Sequence, residues 1–211
     1  MINKLTVALT VPMIVLLLTV SCGPPELTPT TTEEAQIPPH FATYTSEGLF
    51  SISYPPDWVP ATSIIEEMSE MMADWAQGVD PNLSMEDFTL MFLAGKPIEE
   101  GYYPAVTIST MPRSIGLWTL DEITEADDLW CREHLQQYRE HSRTKTVIGG
   151  NEAAISDWQD YEPVTGTWRY LTAYVVKDKF CWTVTCGVEV DDFKTYEDTF
   201  HSVVRSFRPL R

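Results

Sequence analysis

Four cysteines, four histidines and 31 carboxylates are the side chains of this 211-residue chain from which reactive chemistry could be assembled. The densest constellation runs from Asp127 through Cys131 to His134. On a helix, 100° steps place Leu120, Ile123, Asp127, Trp130, Cys131, His134 and Tyr138 on one side. Cys131 and His134, three residues apart, can then touch, as a thiol nucleophile and its base must. Asp127 and His134 are separated by about 10.5 Å of helical rise, too far for a direct hydrogen bond. A catalytic triad on this helix alone is excluded. A thiol site at Cys131 and His134 therefore stands against a simpler reading, a core-facing helix whose Asp127 and His134 find partners on a sheet.

Metal chemistry has no comparable pattern. The sequence holds no H-x-x-x-H, C-x-x-C or EF-hand spacing. His134 and His141 share a helical face but are too distant to chelate one ion without a third element. Asp127-Asp128 and Asp191-Asp192 read as solvated faces or helix ends, with Asp191 or Asp192 serving as a cap. A calcium or manganese site would need convergent oxygens from further elements. Met68, Met71 and Met72 read as a core stripe with an adaptable filler. Neither G-x-S-x-G nor a Gly-rich phosphate loop is present. No catalytic residue, metal ligand or cofactor is assigned.

The fourth cysteine has a different character. Lys4 precedes an apolar run, Leu5 to Val20, which is too short to span a bilayer stably and reads as a cleavable export signal over 1–21. Leu18-Thr19-Val20-Ser21-Cys22 resembles a lipobox, although Thr19 stands where a leucine is usual. That resemblance implies cleavage before Cys22 and lipidation of its sulfur. Residues 22–40 continue as GPPELTPTTTEEAQIPP and neighbours, rich in Pro and Thr with little to bury. Such a segment stays extended and solvated, as a tether should. The expected address is the outer face of a bacterial membrane, held there by the lipid on Cys22.

Export would put Cys131, Cys181 and Cys186 in a compartment where disulfides can form. Cys181 and Cys186 fall in one expected strand, about 16 Å apart at roughly 3.3 Å per residue. A disulfide tolerates about 7 Å between Cα atoms, so these two should not pair. Any bridge must join Cys131 to one of them, and Cys131–Cys186 is the candidate. A reducing source would leave all three as thiols.

The elements that must position these residues follow from periodicity. Phe41 to Thr45 and Leu49 to Tyr54 read as strands around the Ser46-Glu47-Gly48 turn. A helix is expected from Ser63, with an S-x-x-E capping box and Ile64, Met68, Met71 and Trp75 on one face. Phe88 to Leu93 and Ala105 to Met111 read as strands. A long helix is expected from Thr119, capped by Glu122, to about His141. Strands follow at Thr146 to Ile148, Ala153 to Tyr161, Thr167 to Val176 and Phe180 to Val190. A last helix carries Phe193, Tyr196, Phe200 and Val203. This order gives an α+β domain with a mostly antiparallel sheet over 41–211. Trp168 to Val176 is bulky on both faces, so the central strands should be covered on both sides.

Ser46-Glu47-Gly48-Leu49-Phe50-Ser51-Ile52-Ser53-Tyr54-Pro55-Pro56-Asp57-Trp58 resembles the opening of PsbP-like domains. Ile148 to Ala154 is similar to that family's mid-domain turn, and the last hairpin, helix and Ser206-Phe207-Arg208-Pro209 are similar to its close. The resemblance covers essentially all of 41–211. It implies a three-layer α/β/α sandwich with a mostly antiparallel central sheet. The family includes photosystem II accessory proteins and is not characteristically enzymatic; it supplies no catalytic motif to carry across.

Composition narrows the partners. Without the signal's Lys4 the chain carries 13 basic and 31 acidic residues, a formal charge of −18. Phosphate backbones require a basic patch, so nucleic acid is not an expected partner. Seven Trp, nine Tyr and eight Phe supply bulk for a single well-filled core in the 171 residues after position 40. The expected function is a non-catalytic binding or accessory lipoprotein with a protein partner. The alternatives are a thiol- or metal-dependent enzyme centred on Cys131 and His134, and a small-ligand carrier with an apolar cavity beside the sheet.

Overall fold

The computed structural model describes residues 37–61, 65, 89–98, 101–112, 119–163, 165–178 and 180–210. The segment read as an export signal, Cys22 and nearly all of the segment read as a tether lie outside these residues. So does the helix expected from Ser63, apart from Ile65, whose N–H donates to the Ala61 carbonyl.

The chain opens with a hairpin, β1 (Ala42–Ser46) and β2 (Phe50–Tyr54), followed by the short β3 (Val59–Pro60). Two long strands follow, β4 (Thr89–Ile98) and β5 (Gly101–Pro112), then helix α1 (Leu120–His134). Four strands run in succession: β6 (Arg139–Ile148), β7 (Asn151–Glu162), β8 (Gly166–Lys177) and β9 (Phe180–Glu189). Helix α2 (Phe193–Ser206) and the two-residue β10 (Arg208–Pro209) close the chain. Pairing is antiparallel throughout, in a seven-stranded sheet of order β3-β4-β5-β9-β8-β7-β6 and a three-stranded sheet of order β1-β2-β10. The expectation of a mostly antiparallel sheet with helices holds.

Alternation along the strands sorts side chains to two faces. On one face Leu171, Ala173 and Val175 of β8 and Trp182, Val184, Cys186 and Val188 of β9 join Phe50, Phe92, Phe200 and Phe207 in the main core. Phe50 is its hub: its ring lies 5.6 Å from Trp182, 5.8 Å from Phe207 and 6.3 Å from Phe92, centroid to centroid. Each such pair adds to the burial of large aromatic area. Helix α2 packs here because Phe193, Phe200, Val203 and Val204 recur at helical spacing. Ser206 ties its end to the small sheet: its Oγ accepts from the Ser53 N–H at 2.8 Å. The chain end then pairs β10 with β2, so the last residues close the first hairpin.

On the other face Ala154, Tyr174 and Cys181 meet Leu120 and Ile123 of α1. Further along the same face Trp158 of β7 stacks on Tyr170 of β8, 4.2 Å between centroids. Tyr170 lies directly over Gly187 of β9; a Cβ there would sit 2.9 Å from the ring. Gly149 and Gly150, at φ 57° and 78°, form the two-residue turn between β6 and β7. A loop with both residues at positive φ matches the twist of the flanking strands.

β4 and β5 run longer than expected, to Ile98 and from Gly101, and the largest boundary difference from the sequence expectation is at the end of α1. Helix α1 stops at His134 rather than near His141, and Arg139–Ile148 is an edge strand. No Gly or Pro marks the stop. The chain turns at Gln137, φ 59°, and the Tyr161 N–H takes the Gln136 carbonyl at 2.9 Å. Strand pairing of Arg139 with Gln159 then outweighs the helical preference of the segment.

Candidate functional site

The polar side chains beneath α1 form a buried cluster with titratable groups on several elements. Thr119 starts the helix. Its Oγ1 accepts from the Glu122 N–H, and Glu122 accepts from the Thr119 N–H at 2.7 Å. The buried stripe is Leu120, Ile123, Thr124, Asp127, Trp130 and Cys131. Its first turn is apolar against β7 and β8, and the next two turns deliver a carboxyl and a thiol to the interior.

Asp127 is 3% exposed. The Tyr174 hydroxyl of β8 donates to its Oδ2, while Oδ1 has no hydrogen-bond partner among the described residues. Burial pushes the Asp127 carboxyl up to about 7; the Tyr174 bond and Arg143 oppose this, and Asp128 and Glu140 add to it. Arg143 bridges helix and sheet, donating from Nη1 to the Thr124 carbonyl at 2.9 Å and from Nε to Glu140 at 2.7 Å. The same Glu140 oxygen accepts from Ser156 Oγ at 2.7 Å. Asp128 takes Arg132 at 2.8 Å and the Tyr138 hydroxyl at 3.1 Å. On β7, Asp160 is buried, which raises its carboxyl to about 6 although Oδ1 accepts from the Tyr161 N–H.

Cys131 and His134 are not brought together as a reactive pair. Cys131 is 1% exposed, and burial, with Asp127 and Asp128 nearby, pushes its thiol far above the ordinary range. A nucleophilic thiol needs the opposite: exposure and a stabilised thiolate. His134 is exposed; its Nδ1 donates to the Trp130 carbonyl at 2.9 Å and its ring stacks on Trp130. Of the two residues expected to find partners on the sheet, Asp127 does so and His134 bonds within its own helix.

The candidate disulfide Cys131–Cys186 is corrected: Cys131, Cys181 and Cys186 are all buried free thiols. Cys181 and Cys186 do share β9, but five residues apart they point to opposite faces. Cys186 lies in the main core with α2, across the sheet from α1. Cys181 is on the α1 face, where it meets Leu120 and Ile123 at the helix start. Cys131 lies two turns further on, about 12 Å along the axis.

His141 is on β6 rather than α1, where its Nε2 bonds Gln159 at 2.8 Å. Among the described residues no three His, Cys, Asp or Glu side chains converge as metal ligands. Asp192 is the N-cap of α2, but its side chain does not cap; it accepts from the Tyr103 hydroxyl at 2.7 Å. Met68, Met71 and Met72 lie outside the described residues. Sequence reasoning missed Tyr174 and Arg143, whose partners are 47 and 19 residues away. A tyrosine inside the apolar run of β8 was the available signal, since a buried phenol requires an acceptor.

The solution structure of cyanobacterial PsbP (CyanoP) from Synechocystis sp. PCC 6803 superposes with a TM-score of 0.53 at 10% identity, covering 85% of this chain and 97% of that one. The fold is PsbP-like. A crystal structure of a protein of unknown function and putative regulator from Pseudomonas aeruginosa is similar at a TM-score of 0.45 and 11% identity, over 79% of this chain and 95% of that one. A Bacteroides thetaiotaomicron structure follows at 0.47 and 15%, over 81% of this chain and 48% of that one. No family model and no curated protein matches the sequence. At these identities the PsbP-like likeness concerns the fold and transfers no residue role.

Proposed function

We propose that this protein is a membrane-anchored extracytoplasmic lipoprotein that acts as a non-catalytic binding or accessory protein. Its PsbP-like domain is a three-layer α/β/α sandwich held away from the bilayer by the Pro/Thr-rich tether. The observation that carries the reading is the order of segments: an apolar signal, Cys22 in a lipobox-like context, a tether, and a domain with a PsbP-like fold. The sealed thiol of Cys131 supports a binding role over thiol chemistry. Affinity capture of the detergent-extracted, anchored protein tests it. A stoichiometric protein partner that remains through washing is the expected result, and consistent recovery of the chain alone would count against the reading.

A further inference from the structure

We propose that α1 is a proton-operated latch, in which Asp127 as a neutral acid secures the helix to β8 through Tyr174, and loss of its proton loosens the helix. The proposal is independent of the anchoring reading above. It stands first on geometry. Asp127 lies in the middle of α1, sealed against the sheet, with Tyr174 on Oδ2 and an Oδ1 that has no hydrogen-bond partner among the described residues. A buried carboxylate normally gathers several donors; this one receives a single phenol hydrogen among the described residues.

The groups around it do not supply a compensating ion pair. On α1 itself, Asp128 and Cys131 flank it, and Asp128 is already committed to Arg132 and Tyr138. From β6, Arg143 attracts a negative Asp127, but its own hydrogen bonds go to Glu140 and the Thr124 carbonyl, and Glu140 repels. Lys145 pairs with Asp121 at the outer side of the helix. From β7, Ser156 serves Glu140, and Asp160 acts on neighbouring Cys131. From β8 comes Tyr174 alone. Arg132, Tyr138, Arg143, Lys145 and Ser156 thus each donate to an acceptor other than Asp127.

The remaining attachments of α1 differ along its length. Leu120 and Ile123 give the first turns an apolar seat, while the later turns rest on Asp127, Trp130 and Cys131. Ionising Asp127 weakens the seat of these later turns. An opened helix exposes Asp127 to water, where its carboxyl returns to the ordinary range near 4. Opening then becomes easier as pH rises from about 4 to about 7, roughly tenfold per unit and about a thousandfold in all, and is level above that.

Amide hydrogen exchange on the full chain from pH 4 to 8, expressed as protection factors, tests this, with α2 amides as the internal reference. The expected result is a loss of protection in α1 that exceeds any loss in α2 and stops near pH 7. Asp127→Asn should remove the larger part of the pH dependence of α1 protection and all of it between pH 6 and 7, above the range of the neighbouring Asp160. Tyr174→Phe, which removes the one donor to the carboxylate, should move the upper break to higher pH. Carbon NMR of the Asp127 carboxyl reads the same group directly and keeps the test decisive if either variant misfolds. A carboxyl midpoint near 4 in the folded chain, or α1 protection that tracks α2 at every pH, would overturn the proposal.

Discussion

At the level of single residues, Asp127 and the three core cysteines make opposite predictions about chemistry. A group whose folded affinity for protons is raised contributes stability in full below its unfolded value, near pH 4. That contribution declines as pH rises to the folded value near 7. Denaturant unfolding should therefore show stability falling across this window. Asp127→Asn should reduce the fall, leaving the share that Asp160 contributes below about pH 6, and make the variant roughly 2–4 kcal/mol more stable than the parent at pH 8, relative to pH 4. An unchanged slope would remove Asp127 from the account. The cysteines should be silent: in the Cys22→Ser chain a thiol reagent should find none before denaturation and three after it, because each is 2% exposed or less. Fast labelling of one thiol in the native protein would restore Cys131 as a reactive candidate.

At the level of elements, two small features hold the α1 side together. The capping box joins Thr119 and Glu122 at the start of the helix. Thr119→Ala should cost about 1 kcal/mol in thermal or chemical unfolding, the usual loss for a removed cap. Gly187 gives Tyr170 room to lie flat between β9 and the Trp158 ring. Gly187→Ala forces an aromatic ring rather than a flexible tip to move, so a loss of about 1–3 kcal/mol is expected. A neutral result would mean the Trp158–Tyr170 stack can shift without penalty. Much of this level was legible beforehand. Alternation in β7, β8 and β9, the Thr119 box and the Phe193-Tyr196-Phe200-Val203 stripe each specify their element locally. The end of α1 was not legible, because Leu135 to Tyr138 contains no helix breaker and only pairing with β7 draws the next residues into a strand.

For the molecule as a whole, the main prediction concerns its address. Labelled palmitate should enter the protein in cells and fractionate with membranes, and Cys22→Ala should abolish both while leaving the far-UV spectrum of the domain unchanged. Soluble parent protein with an unmodified amino terminus elsewhere would refute the anchor. Among the described residues no helix is long and apolar enough to cross a membrane. With 31 acidic residues against 14 basic ones, the chain should also ignore nucleic acid at physiological salt.

The sequence by itself determined the segments whose cause is local. These are the alternating strands and the capped helix start. It also determined that Cys181 and Cys186 cannot bridge each other, since their spacing within a strand decides it. Tertiary structure decided which side of the sheet each helix covers. That placement puts Cys186 with α2 and Cys131 with α1, separates His134 from the thiol, and gives Asp127 the phenol of Tyr174. Periodicity assigns a side chain to a face but does not say what lies opposite. Strands 47 residues from Asp127 along the chain had to fold against it before burial could change its affinity for a proton.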